Sequence, residues 1–268
     1  MIFESRPEVI GHRGYGTGTI ARTTAPMATA GDDGDGAPVT GQAQEAVTEN
    51  TIASLLAAVD AGLSWVEIDV QRTADDELVL RHDPTTPEGA FLIEGTAAES
   101  GLPRLTEVFE ALPPEVAVDV DVKTILEDAV DAPARRTGAL LSPILAREAR
   151  RRPLLVTSFD PALLLGFRES LPGVPLGLLT WLTFPLAHAV SAAAGLGLQA
   201  VGLHTGSFGL DRDDHRIRPL EHAVDTAHQA GLEVLVWCPA AKDAPRYAKG
   251  GVDALIVNDV PGVLTALA

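Results

Sequence analysis

A closed (β/α)8 barrel of the TIM type is the fold class that this sequence predicts, and three observations predict it. Short β-branched or apolar runs alternate with amphipathic or alanine-rich segments along the chain, as in βα units around a parallel sheet. Nine strand candidates reduce to eight once the return limb of one hairpin is set aside, and helical segments follow most of them. The 268 residues, 46% of them hydrophobic and 21% charged, suit one α/β barrel domain spanning residues 1–268, since such barrels commonly run to about 250 residues.

The first strand is read at Val9–Arg13. After it, Tyr15 to Thr48 is rich in Gly, Thr, Ala and Asp, with Gly31-Asp32-Asp33-Gly34-Asp35-Gly36 at its centre, and offers few apolar residues to a core. It is expected to be a long flexible loop insertion on the barrel face where active sites sit, and to act as a lid. Its acidic centre would favour neutral or cationic groups over anionic ones at the site beside it, by charge complementarity. The Asp/Gly cluster lacks the closing Glu of a calcium loop and reads as solvated. A helix at Thr51–Ala61 leads to strands at Trp65–Val70 and Leu78–Arg81. The residues between these two, centred on Thr73 to Asp76, are far too few for a parallel crossover, so they form a hairpin excursion. Helix Leu105–Ala111 and strand Ala117–Val122 follow, then Ala139–Arg150 and Leu154–Thr157, then Pro161–Ser170 and Leu176–Leu179. The last units are Leu186–Ala194 with Ala200–His204, Leu220–Ala230 with Glu233–Trp237, and Pro245–Lys249 with Ala254–Val257, closed by Pro261–Leu267.

Charge and composition remove several function classes. A formal net charge of −17 repels nucleic-acid backbones and anionic membrane surfaces. No Asp, Glu, Lys or Arg occurs between Glu169 and Asp211, but Pro172, Pro175, Pro185, Gly195, Gly197 and Gly202 break this stretch, so it reads as buried strand, helix and strand and not as a membrane span. Cys238 is the single cysteine, and Met1–Pro7 lacks the basic and then apolar start of a secretory signal, which together predict a cytoplasmic protein.

Chemistry concentrates on two strands. In Trp65-Val66-Glu67-Ile68-Asp69-Val70 the acids stand two apart, so both project to one face while Val66, Ile68 and Val70 project to the other. In a barrel the apolar set meets the helices and the acids face the interior. Val118, Val120 and Val122 alternate in the same way with Asp119, Asp121 and Lys123. Burying several carboxylates together costs several kcal/mol each unless a cation offsets them. An oxygen-liganded divalent ion, Mg2+ or Ca2+, would do so. Internal salt bridges through Lys123, Arg13 or Arg81 are the other solution, although paired acids on two strands exceed what one nearby lysine neutralises. His12 and His82 fall at strand ends, and the hairpin returns His82 to the barrel mouth. Two histidines beside a metal supply one proton acceptor and one donor at neutral pH.

Read in order, Gly11-His12-Arg13-Gly14, Glu49-Asn50-Thr51, Glu67-Ile68-Asp69-Val70, His82-Asp83, Asp121-Val122-Lys123, Ser158-Phe159, Trp237, Gly251-Val252-Asp253 and Asn258-Asp259 resemble the signatures of the glycerophosphodiester phosphodiesterase family almost end to end, apart from the insertion. The resemblance implies a TIM barrel that uses one divalent ion, Mg2+ or Ca2+, to hydrolyse small-molecule glycerophosphodiesters to an alcohol and glycerol 3-phosphate. It also implies proton transfer by His12 and His82, metal binding by Glu67, Asp69 and Asp121, and phosphate binding by Arg13 and Lys123. The family normally has Glu at the position of Asp121, often Asn at that of Asp119, and Thr where Cys238 stands; these departures bear on substrate choice.

Other positions are read more plainly. His204 and Trp237 end strands and either line the substrate pocket or pack. His188, His215, His222 and His228 are expected at the surface, and Cys238, with no base near it in sequence, is not expected to be a nucleophile. Inward acids, a lysine and a metal would also suit an enolising isomerase or lyase, with Lys123 as the base. A phospholipase D-like phosphodiesterase and a noncatalytic phosphate or metal binder are the remaining alternatives.

Overall fold

The computed structural model describes residues 1–16, 48–209 and 217–268. All but the ends of the insertion read over 15–48, with its Gly31–Gly36 cluster, and His215 lie outside the described residues. The strands are β1 (Glu8–Gly11), β2 (Trp65–Arg72), β3 (Leu78–Leu80), β4 (Ala117–Val122), β5 (Leu154–Ser158), β6 (Leu176–Leu179), β7 (Ala200–His204), β8 (Glu233–Trp237) and β9 (Ala254–Val257). The helices are α1 (Ile52–Asp60), α2 (Ala97–Ser100), α3 (Leu105–Ala111), α4 (Thr137–Glu148), α5 (Pro161–Ser170), α6 (Leu186–Gly195), α7 (Leu220–Gln229), α8 (Ala244–Lys249) and α9 (Val260–Leu267).

Parallel pairing runs from β1 through β2, β4, β5, β6, β7, β8 and β9 and returns to β1, closing an eight-stranded barrel with helices outside it. β3 stands apart: it pairs antiparallel with β2, Val70 opposite Leu80 and Arg72 opposite Leu78. The uncharged stretch forms β6, α6 and β7, and among the described residues no helix is long and apolar enough to cross a membrane.

β1 ends two residues before the predicted boundary. Arg13 takes a left-handed φ of 54° and Gly14 a φ of 95°, so the chain turns after Gly11, and the Gly14 amide donates to the Gly11 carbonyl at 3.2 Å. His12 and Arg13 therefore sit in a turn and not in a strand. The turn also requires glycine for space, because a Cβ on Gly14 would lie 2.5 Å from the Ser54 hydroxyl.

The period-2 pattern sorts residues between two cores. Val66, Ile68, Val70, Val118, Val120 and Val122 pack outward against helical residues such as Leu105, Val108, Leu141 and Leu145. Inside the barrel, Ile10, Trp65, Ala117, Leu155, Ala200, Leu235, Ala254 and Ile256 form a separate apolar cluster, into which the N-terminal Phe3 packs edge-on against Trp65 at 5.2 Å. The apolar filling occupies the strand starts, which leaves the polar interior at the strand ends.

Candidate active site

Parallel register sets the acids side by side. Glu67 is the partner of Asp119 and Asp69 that of Asp121, so four carboxylates stand on adjacent strands in two consecutive inward layers. All four are buried. One oxygen each from Glu67, Asp69 and Asp121 lie within 4.8 Å of one another.

Two cations enter this cluster. Lys123 Nζ bonds Asp121 and lies 2.7 Å from Asp69 Oδ1. Arg13 Nε lies 3.1 Å from Asp69 Oδ2, while its Nη1 donates to both Glu49 oxygens at 3.0 and 3.1 Å. The Arg13 amide donates to Glu67 at 2.8 Å. Asn50, itself at a left-handed φ of 55°, donates its amide to Asp69 Oδ2 at 2.8 Å and accepts the Asp69 backbone N–H at 3.1 Å. Arg81 does not join them; it pairs with Asp83 and the Thr85 carbonyl at the surface. Internal salt bridging is thus present through Lys123 and Arg13, but it covers four buried acids with two cations, one of them shared with Glu49.

The electrostatic result is uneven. Burial opposes the charge on Asp69, but Lys123 and Arg13 overcome it and hold this carboxyl below its usual range. Burial and the neighbouring Asp69 and Asp121 push Glu67 well above its range. Asp119, buried and accepting from Thr157 Oγ1 at 2.8 Å, is pushed up to about 8. Burial also raises Asp121, against the pull of Lys123. Asp121 Oδ1 is buried with no hydrogen-bond partner among the described residues. A crowded all-oxygen set in which burial and mutual repulsion disfavour charge, with an orphaned carboxylate oxygen, fits a hard divalent cation such as Mg2+ or Ca2+.

The histidines differ in environment. His12 Nδ1 hydrogen-bonds Asn258 Oδ1, and its Nε2 lies 3.8 Å from Glu67. Burial and the adjacent Arg13 lower its pKa to about 3. His82 is exposed at the mouth, with Nδ1 2.9 Å from Asp83 Oδ1; Gln71 Nε2 secures its backbone carbonyl at 2.9 Å, and it lies within electrostatic reach of Asp69 and Asp121.

His204 and Trp237 meet at 4.4 Å between ring centroids. Trp237 also meets Phe159 at 6.1 Å, and Phe159 stacks on Trp181 at 4.4 Å. The Trp237 indole N–H is buried with no hydrogen-bond partner among the described residues. Lys123 Nζ stands 5.5 Å over the Phe159 ring, where a cleft of about 480 Å3 opens between the end of β2, the segment after β3 and the loops after β4, β5 and β6. Neither His204 nor Trp237 lines that cleft.

Cys238, adopting a left-handed φ of 55°, has His12 beside it in space: its sulfur lies 3.7 Å from His12 Nδ1 and accepts from Asn258 Nδ2 at 3.4 Å. One expectation needs correction. His228 is half-buried and not at the surface, because the fully buried Asp253 carboxylate holds its Nε2 at 2.7 Å. His188 and His222 are exposed.

Fold and site together are those of a barrel phosphodiesterase. The chain belongs to the glycerophosphoryl diester phosphodiesterase family, whose model matches residues 12–91 and 89–261. A glycerophosphodiester phosphodiesterase of Caldanaerobacter subterraneus subsp. tengcongensis is 24% identical over 237 residues, which cover 80% of this chain and 89% of that one. Among solved structures, a glycerophosphodiester phosphodiesterase from Parabacteroides distasonis superposes with a TM-score of 0.69 at 20% identity, covering 97% of this chain and 96% of that one. An Oleispira antarctica phosphodiesterase, solved in complex with the product sn-glycerol-3-phosphate, superposes at 0.71 with 20% identity, covering 98% and 97%.

Proposed function

We propose that residues 1–268 act as one catalytic domain that hydrolyses glycerophosphodiesters to an alcohol and glycerol 3-phosphate. In this reading His12 and His82 transfer protons, and Glu67, Asp69 and Asp121 hold one Mg2+ or Ca2+. The carrying observation is the paired acid layers flanked by Arg13, Lys123 and His12, a site that joins anion-neutralising groups to a proton acceptor. When bound, the ion would supply Lewis-acid polarisation of the phosphoryl group.

His12 is the base. Its low pKa keeps the ring neutral at neutral pH, and a carbonyl oxygen on Nδ1 selects the tautomer that leaves the Nε2 lone pair free to take a proton from the attacking oxygen. His82, on the solvent side and oriented by Asp83, returns a proton to the leaving alkoxide. Arg13 and Lys123 remain cationic because Asp69, with Glu49 for Arg13 and Asp121 for Lys123, raises both pKa values against the effect of burial. They are suited to the nonbridging phosphate oxygens. The same shift weighs against an enolising enzyme, because a lysine held protonated by two carboxylates makes a poor base. The Oleispira product complex supports glycerol 3-phosphate as the product class. The single cysteine remains the support for a cytoplasmic placement.

The test is release of alcohol from glycerophosphodiesters by the full chain with Mg2+ or Ca2+ and with EDTA. Metal-dependent release that is lost in His12→Ala supports the reading. Equal rates in EDTA, or an unaffected His12→Ala, would overturn it.

A further inference from the structure

We infer that the cleft beside Lys123 is a subsite for an acyl chain carried on the glycerol of the substrate, so that the favoured diesters are lysophospholipids; this rests on the phosphodiesterase reading above. Phe91, Ile93, Ile125, Leu126, Phe159 and Trp181 furnish its apolar walls, and Lys123, the residue assigned to the phosphate and bound to Asp69 and Asp121, lines it too. The cleft is therefore continuous with the reacting centre. A volume of about 480 Å3 falls in the range of pockets that take whole small-molecule ligands, and it is far more room than a glycerol needs.

The lip carries the same signal. Phe91 is 52% exposed, Leu126 86% and Trp181 65%. Of the exposed large apolar side chains among the described residues, all but Met1 and Leu165 sit on segments that contribute to this cleft; Val130 and Leu182 lie on these segments without lining it. Exposed apolar groups gathered at one opening mark a binding surface and not scatter. A quaternary ammonium group is the weaker candidate, because Lys123 already occupies a face of Phe159 and aliphatic Ile93, Ile125 and Leu126 supply much of the wall. In the reaction, water oxygen bonds to phosphorus, the bond from phosphorus to the head-group oxygen breaks, and that oxygen takes up a proton. The products are the head-group alcohol and 1-acylglycerol 3-phosphate.

The experiment compares glycerophosphocholine with 1-acyl lysophosphatidylcholines, hexanoyl to decanoyl, kept monomeric, using the metal-supplied full chain. The head group is constant, so only the chain varies. Expected is a kcat/KM that rises about threefold per added methylene until the cleft is filled. Leu126→Glu and Phe91→Ser, both at exposed positions, should lose about tenfold or more on the decanoyl substrate and leave glycerophosphocholine within about twofold. No chain-length dependence, or equal losses on both substrates, would overturn the inference; so would a preference for glycerophosphocholine over glycerophosphoethanolamine with no benefit from a chain. If no diester is cleaved, the phosphodiesterase reading itself falls. The subsite is then decided by tryptophan fluorescence with dodecylphosphocholine: weaker binding to Leu126→Glu upholds it, and unchanged binding overturns it.

Discussion

At the scale of single residues, the site depends on side chains that constrain one another. Asn258 fixes His12 through Nδ1, so Asn258→Leu should lower kcat about tenfold with little change in KM, while His12→Ala and His82→Ala should each cost about 10²–10⁴ in kcat. Steady-state kinetics on one diester separates these outcomes; retention of more than about a tenth of the rate by either histidine variant would remove that residue from proton transfer. Asp119 gives a second prediction, in pH. Burial raises its pKa to about 8, so between about pH 4 and pH 8 the native state holds a proton that the unfolded chain has released. The stability from this group is complete at the acid end and is lost as pH rises through that window. Asp119→Asn, whose Oδ1 can still accept from Thr157, should therefore melt a few degrees higher than wild type at about pH 8 and nearly together with it at about pH 4, both measured in EDTA. The alternation of acids and valines on two strands was legible in the sequence because it is local. The placement of His12 beside Cys238 was not, since His12 lies 226 residues away and only barrel closure brings β1 next to the end of β8 and β9.

At the scale of elements, the excursion formed by β2 and β3 governs what surrounds the site. Arg72, fully buried at the end of β2, bonds Asp131 and the Arg135 carbonyl and lies 3.8 Å from Asp128, which ties the segment between β4 and α4 to the hairpin. That segment carries Ile125 and Leu126. Arg72→Met should destabilise the fold by about 2–4 kcal/mol in urea titration, since carboxylates and a carbonyl lose a buried partner, and should weaken the preference for acylated substrates. An unchanged denaturation midpoint would show that the segment is held by other contacts. Strand and helix positions were readable from periodicity to within a residue or two, whereas β1 was read too long because its end is set by the left-handed turn at Arg13 and not by hydrophobicity. The short α2, closed by a capping box between Thr96 and Glu99, is below the length at which a helical period registers. The apolar cleft was not readable at all. Its apolar walls come from four separated segments, after β3, β4, β5 and β6, whose few apolar residues look ordinary in isolation.

For the whole molecule, the acid layers trade stability for binding. Mg2+ or Ca2+ should raise the melting temperature, by an amount equivalent to about 2.7 kcal/mol when the free ion is one hundredfold above its dissociation constant. Glu67→Gln and Asp121→Asn should each abolish most of that shift and make the metal-free protein more stable, because each removes one of four crowded carboxylates. Calorimetry with and without EDTA decides this, and a metal-dependent shift that survives both substitutions would place the ion elsewhere. The overall barrel was the most legible feature, since eight βα units permit few other closures, and its acidic mouth followed from strand alternation alone. One consequence of the direct pairing of Glu67 with Asp119 and of Asp69 with Asp121 reaches back to the folding chain. If β2 slid by one residue against the helical layer, its charges would turn into the greasy seam meant for Val66, Ile68 and Val70, and the valines would turn into the wet mouth. A neighbouring slip on β4 would compound the error. The carboxylates that weaken the finished barrel therefore also act as a proofreading device during its assembly, rejecting misaligned wall strands before the ring can close.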